Sequence, residues 1–302
     1  MSTTQVSNTN TQNKTWMWRG FPINYTHQGE QKPAVVLIHG FGASVGHWRK
    51  NLPVLGEHFN CYAIDLIGFG ASAKPTPGQE VNYTFETWAE QVADFCREVV
   101  GSPAFLVGNS IGCIVAMQTA VSYPDMVLGV ASLNFSLRLL HERKRESLPW
   151  YQRFGAPIFQ KILTNKLIGN FFFSRIAQPK TVKNVLLQAY HRPEAVTDEL
   201  VEMLLQPARD KGAADVFLAF TGYSQGPLPE DLIPQLTCPN IILWGEKDPW
   251  EPIEMGKELV EKFPNVDKFI PLPGLGHCPQ DEAPEVVNPI LIDWIASFAV
   301  TN

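Results

Sequence analysis

GNSIG occupies residues 108–112, between the apolar run PAFLV (103–107) and the helix-like stretch IVAMQTAVSYP (114–124). Glycine weakens strand interiors and helix starts alike, so two of them framing a serine at a strand-to-helix junction need a geometric reason. A tight strand–turn–helix hairpin supplies it. The residue at the apex is forced into a strained backbone conformation, and its neighbours two positions away must lack bulk for strand and helix to approach. The turn lifts the Ser110 hydroxyl to the carboxyl edge of a sheet. There the N–H groups opening the next helix face whatever oxyanion forms. Ser110 is therefore read as a nucleophile.

The pattern around this turn supports a sheet beneath it. The segment from Trp16 to Thr26, interrupted by Gly20 and Pro22, reads as an edge hairpin. Short apolar runs follow at 34–39, 60–65, 103–109, 126–134, 240–245 and 268–272. Helical patterns at 44–56, 84–100, 111–122, 253–263 and 284–299 alternate with them. Continuous apolar strands separated by amphipathic helices predict a mostly parallel, doubly wound α/β sheet covered on both faces. Residues 136–235 break the rhythm. Phe154, Ile158, Phe159, Ile162, Leu163, Leu167, Ile168, Phe171 and Phe172 recur there at helical spacing. The expected division is a polar tail over 1–14, a core over 15–135 and 236–302, and a helical cap over 136–235, inserted after the sixth strand.

A serine needs a base. Among the seven histidines, His277 follows the run KFIPL in the loop PGLGHCPQDE and is placed to reach back over the sheet edge. His27, His47, His58, His141 and His191 lack such a setting and are read as surface or core. The base needs a carboxylate that holds its tautomer and stabilises the imidazolium. Asp248, in ILWGEKDPWEP just past a strand, fits; Glu246 and Glu251 beside it are read as surface charge. The strand ending at Asn134 has no carboxylate at its tip. His39-Gly40-Phe41-Gly42 follows the first central strand, and the backbone N–H groups of Phe41 and Ile111 are expected to form an oxyanion hole. His39 is expected to brace that loop, and Asp65 to brace the turn DLIGFGAS (65–72).

Bulk properties narrow the function further. A chain of 302 residues, 45% hydrophobic and 18% charged, has the composition of a globular protein. Its net charge of −6 carries no nucleic-acid footprint. The five cysteines have no metal-type spacing and read as reduced thiols of a cytosol-like compartment; no metal or other cofactor is expected. The stretch MSTTQVSNTNTQNK has neither the apolar core of a secretory signal nor the arginines of a transit peptide.

Taken together, HGFG, DLIGFGAS, GNSIG, ILWGEKDPWEP and GLGHCPQDE resemble the α/β-hydrolase superfamily, and the order Ser110, Asp248, His277 is that superfamily's order. Ser110 stands where haloalkane dehalogenases and epoxide hydrolases use a carboxylate, which points to esterase chemistry. Within the superfamily the chain resembles the chlorophyll dephytylases and pheophytinases. GNSIG, VKNVLLQAYHRPEAVTDELVEMLLQPARDKGAADVF (182–217) and GHCPQDEAPEVV (276–287) carry that resemblance. Cys113 departs from a glycine that many members carry after the serine turn. The resemblance implies hydrolysis of the phytyl ester of a chlorophyll-type tetrapyrrole to a chlorophyllide and phytol, in a photosynthetic bacterium.

Trp150, Tyr151, Phe154, Phe159, Phe217, Phe220 and Tyr223 are expected either to line a cavity for such a substrate or to pack the cap itself. HERKRE (141–146) reads as a solvated helix face or, with Phe171–Phe173, as a contact for an anionic membrane such as the thylakoid's cytoplasmic side; pigment proteins are a further expected partner. An esterase or lipase for another hydrophobic ester, and a slow-turnover ligand-binding homologue, are the alternatives.

Overall fold

The computed structural model describes residues 13–147 and 165–299. An eight-stranded sheet runs through it in the order β1-β2-β4-β3-β5-β6-β7-β8. Its strands are β1 (Asn13–Trp18), β2 (Phe21–Gln28), β3 (Ala34–Ile38), β4 (Asn60–Ile64), β5 (Ala104–Asn109), β6 (Val127–Leu133), β7 (Asn240–Gly245) and β8 (Lys268–Leu272). The β1–β2 hairpin turns at Arg19 and Gly20, both at positive φ, and β2 pairs antiparallel with β4. All remaining pairings are parallel. This is the predicted doubly wound sheet, except that Asn13 and Lys14, expected in the tail, belong to β1.

Strand alternation decides which helix covers which face. Val36 and Ile38 of β3, with Ile242 and Trp244 of β7, face α2 (Phe85–Phe95) and α3 (Ile111–Ser122). Val35 and Leu37, with Ile241 and Leu243, face α1 (Leu52–Gly56) and the C-terminal helix over Pro284–Ala299. A two-residue period with both faces apolar is what a sheet buried on both sides requires.

Two predicted helices are each divided into two pieces, and the one expected over 253–263 ends at Val260. The stretch 44–56 is a 3₁₀ turn over Val45–Trp48 followed by α1. Pro53 has no N–H to bond back to Arg49, and the helix is broken there. Over 84–100, α2 ends at Phe95 and a π-helical turn, Cys96–Val100, closes on Gly101 at φ 73.

Between β6 and β7 the described residues hold helices and no strand. These are α4 (Lys166–Ile176), α5 (Pro179–Ala189), α6 (Asp198–Leu205), α7 (Ala213–Thr221) and the single turn α8 (Pro229–Leu232). Leu186, Tyr190, Val196, Leu200 and Leu205 bury against one another as a small core of their own. Of the expected cap residues, Trp150, Tyr151, Phe154, Ile158, Phe159, Ile162 and Leu163 lie outside the described residues. The HERKRE stretch is more anchored than expected. His141 is buried, Arg143 forms a two-pronged pair with Asp231, and Lys144 pairs with Glu230.

Candidate active site

Ser110 sits between β5 and α3 at φ 55, ψ −120, a conformation that L-residues adopt only under constraint. Three hydrogen bonds supply the constraint. The Ser110 amide donates to Leu133 O at 3.1 Å, and the Ser110 carbonyl accepts from Cys113 N at 3.2 Å and Ser136 N at 3.3 Å. The glycines are required as the sequence suggested, though by different neighbours. A Cβ at Gly108 would lie 2.5 Å from Gly112 and Cys113 backbone, across its own hairpin. One at Gly112 would lie 2.4 Å from Ile38 O, on the adjacent strand β3. Cys113 fits beneath the turn fully buried, its Sγ 3.4 Å from Leu133 O, and burial pushes its thiol pKa up.

His277 follows β8. Its Nδ1 lies 2.7 Å from Asp248 Oδ2, with both side chains buried. The carboxylate accepts the Nδ1 proton, which fixes the tautomer and leaves Nε2 with its lone pair. Asp248 is itself fully satisfied. Oδ1 accepts from Trp250 N at 2.9 Å and Glu251 N at 3.1 Å, and Oδ2 also accepts from Asn134 Nδ2 at 2.8 Å. The Trp250 ring meets the imidazole edge-on, with centroids 4.9 Å apart.

Three asparagine, glycine and glutamate roles were missed in the sequence. Asn134, at the strand tip noted only for lacking a carboxylate, holds the carboxylate of the next strand; its backbone is at φ 47 and its Oδ1 accepts from Gly245 N. Asparagine is among the few residues that tolerate that conformation. Gly276 lets the Ala189 carbonyl approach to where a Cβ would be 2.1 Å away, and His277 N donates to that carbonyl at 2.8 Å. The segment between β6 and β7 thus helps position the histidine. Glu251, read as surface charge, is instead buried, with its Oε2 lacking a hydrogen-bond partner; Glu246 is exposed as expected.

Phe41 and Ile111 line the same cavity as Ser110, and among the described residues neither amide N–H has an acceptor. Ile111 is the first residue of α3, where the N–H is unpaired by geometry. Gly40 brings the loop within van der Waals reach of Ser110, since a Cβ there would be 3.2 Å from Ser110 Cβ. His39 braces the loop as expected: Nδ1 donates to Gly40 O at 2.8 Å and Nε2 accepts from Leu66 N at 3.1 Å. Burial lowers its pKa and keeps it neutral. Asp65 braces its turn by accepting from Val45 N, Ala71 N and Asn24 Nδ2.

A cavity of about 470 Å³ opens onto Ser110 and His277. Phe41, Phe173, Leu186, Leu205, Phe217 and Phe220 make its wall apolar. Phe217 and Phe220 therefore line it as the aromatic reading allowed, whereas Tyr223 lines a neighbouring cavity of about 390 Å³. His47, also on the larger cavity, is a core histidine whose Nε2 meets Tyr190 Oη at 2.8 Å, and burial lowers its pKa to about 4. Tyr190 in turn donates to Asp281. Among the described residues no group of three His, Cys, Asp or Glu side chains is arranged to hold a metal.

A serine on a strained turn, a carboxylate-held histidine and a helix N-terminus at one sheet edge are the parts that acyl transfer needs. The model of the Alpha/beta hydrolase family matches residues 35–290, and the chain belongs to that family. Its similarity to pheophytinase of Arabidopsis thaliana chloroplasts is 28% identity over 87% of this chain; the match spans 61% of that protein's length. It is 26% identical to the uncharacterized hydrolase YugF of Bacillus subtilis (strain 168), over 91% of this chain and 95% of that one. The solved structure of the epoxide hydrolase CorEH superposes with a TM-score of 0.78 at 22% identity, covering 95% of this chain and 99% of that one. At that identity the superposition speaks for the fold alone.

Proposed function

We propose that this hydrolase is a serine esterase that cleaves the phytyl ester of a chlorophyll-type tetrapyrrole. The observation that carries the reading is the apolar cavity opening onto Ser110 and the Asp248-held His277. The similarity to a pheophytinase supports the choice of substrate. A cavity of about 470 Å³ lies within the roughly 300–1,000 Å³ range of small-molecule sites and suits an isoprenoid chain.

In the proposed reaction Ser110 Oγ attacks the propionate carbonyl while His277 Nε2 takes its proton. Asp248 holds the imidazole and stabilises the imidazolium. The Phe41 and Ile111 N–H groups take the developing oxyanion. His277 then returns the proton to the phytyl oxygen, phytol leaves, and water attacks the acyl-enzyme with His277 again as base. The turn apex is a serine rather than a carboxylate, which favours this acyl route over the alkyl route of an epoxide hydrolase. Leu167, Ile168 and Phe171 project from α4, and we assign them to peripheral contact with a pigment-bearing membrane.

The test is turnover of purified pigment with free phytol measured. Phytol release by the wild type, lost in Ser110→Ala, is expected. Hydrolysis of short nitrophenyl esters with no phytol from any chlorophyll or pheophytin would overturn the substrate assignment and leave a general esterase.

A further inference from the structure

The site has a second chamber. Phe41, Ile111, Ser136, Phe220, Trp250 and Glu251 line both the 470 Å³ cavity and the neighbouring 390 Å³ one, so they form the neck between them. Ser110 and His277 line only the larger chamber. An ester whose carbonyl oxygen lies at the Phe41 and Ile111 amides therefore straddles the neck. The leaving alcohol must sit within reach of His277, which protonates it, and so lies in the larger, apolar chamber. The acid portion departs in the other direction.

That second chamber is more polar, and most of its polar groups are already engaged. The Arg138 guanidinium donates to Pro227 O and Gln225 O, each at 2.6 Å, and lies over the Phe85 and Tyr223 rings. His141 uses both ring nitrogens, one on Gly226 O and one on Arg143 N. Glu251 is different. It is 8% exposed, its backbone is clamped by Asp248 and Trp244, and its Oε2 is buried without a hydrogen-bond partner at the neck.

We propose that the second chamber takes the acid portion of the ester, and that the Glu251 carboxyl at its mouth donates a hydrogen bond to a carbonyl-class oxygen on that portion. The proposal rests on the serine-esterase reading and specifies what its acyl side recognises. Burial pushes the Glu251 carboxyl up to about 7; Asp248 adds to the effect, while His277, the Leu137 amide and the Ser136 hydroxyl oppose it. A carboxyl that keeps its proton near neutrality is a donor. A ligand that lacks an acceptor leaves that donor unpaired, and this is how a buried polar group discriminates.

The experiment compares p-nitrophenyl hexanoate with its 4-oxo and 5-oxo analogues, on wild type, Glu251→Gln and Glu251→Leu. Gln keeps an N–H donor; Leu does not. The wild type and Glu251→Gln are expected to prefer an oxo ester over plain hexanoate, and Glu251→Leu to lose about tenfold of that preference, read within each variant as the ratio of the kcat/KM values. An equal loss on all three esters, or loss of the preference in Glu251→Gln as in Glu251→Leu, would overturn the proposal.

Calorimetric binding of ethyl hexanoate and ethyl 5-oxohexanoate to Ser110→Ala, with and without Glu251→Leu, reads the same preference without turnover. If the wild type cleaves none of the esters, the esterase reading is what fails. The binding difference still decides the role of Glu251: selective loss of oxo-ester affinity supports it, and no selective loss overturns it.

Discussion

The Asn109 side-chain amide donates to the His277 carbonyl at 3.0 Å and to Leu133 O at 3.1 Å. One residue before Ser110 thus ties the serine turn directly to the histidine loop and to β6. Asn109 is buried, so its removal takes from the His277 carbonyl its side-chain donor, while Leu133 O keeps the Ser110 amide. Asn109→Ala is expected to lower kcat by about ten- to a hundredfold with little change in KM, and to cost about 1–3 kcal/mol of stability. Steady-state kinetics beside a denaturant melt check this. A loss of stability with kcat intact would leave Asn109 a structural bond only.

Ser110→Ala and Asp248→Asn probe the proposed relay from its two ends. Removing the hydroxyl leaves only oxyanion and binding contributions, so a fall of several orders of magnitude is expected. In Asp248→Asn an amide replaces the acceptor that fixes the His277 tautomer, and a fall of about 10⁴ is expected. Asn134→Ala, which takes one donor from Asp248 Oδ2, should cost less, about tenfold. Circular dichroism confirms folding in each variant. Near-normal turnover in Ser110→Ala or Asp248→Asn would sink the relay.

The sheet was readable because both its periodicities are local: apolar runs of strand length alternate with helical stripes, and the runs at 240–245 and 268–272 coincide with β7 and β8. GNSIG was readable for the same reason, since a glycine needed for close approach leaves a fixed spacing around the serine. What stayed hidden depends on non-local contact. Glu251 looks like any charge in a polar loop until Ser136, Leu137 and Trp244 close around it. Asn134 and Gly276 act through partners more than eighty residues away, Asp248 and Ala189 respectively. A residue whose role is to hold another element's side chain, or to let another backbone come near, leaves no period in its own segment.

Glu251 also makes stability depend on pH in a definite direction. An acid raised by burial from 4.5 to about 7 holds its proton in the folded state while the unfolded chain has already released it. Between those values the folded state binds more protons, so stability falls as pH rises through the window. The loss is complete above about 7 and amounts to about 3 kcal/mol. Glu251→Gln carries no proton to lose. Its Tm relative to wild type is therefore expected to rise by several degrees between pH 5 and pH 8. Taking the difference between the two proteins cancels the opposite, acid-side contributions of buried His39 and His47. A constant difference across that range would show that the acid is not held protonated.

The helix α4 divides its apolar residues between two tasks, and the division is testable. Phe173 faces inward, on the wall of the larger cavity with its ring 5.3 Å from that of Phe217. Phe171 is 61% exposed and Leu167 84%, with Ile168 beside them. The Arg175 guanidinium lies over Phe171, and Lys166 opens the same helix, so the outward face combines apolar and cationic groups. That combination suits an anionic interface, where the rings enter the acyl boundary and the cations meet headgroups. Fully burying one large apolar side chain contributes about 1.5–3 kcal/mol. Phe171→Ser is therefore expected to weaken binding to vesicles of phosphatidylcholine and phosphatidylglycerol by at least about tenfold, with hydrolysis of a short soluble ester unchanged. Phe173→Ser should do the reverse, keeping vesicle binding while lowering kcat/KM for phytyl esters more than for short ones. Co-sedimentation and soluble-ester kinetics on the two variants read both arms. If Phe171→Ser sediments with vesicles like wild type, the outward face of α4 is not a membrane contact.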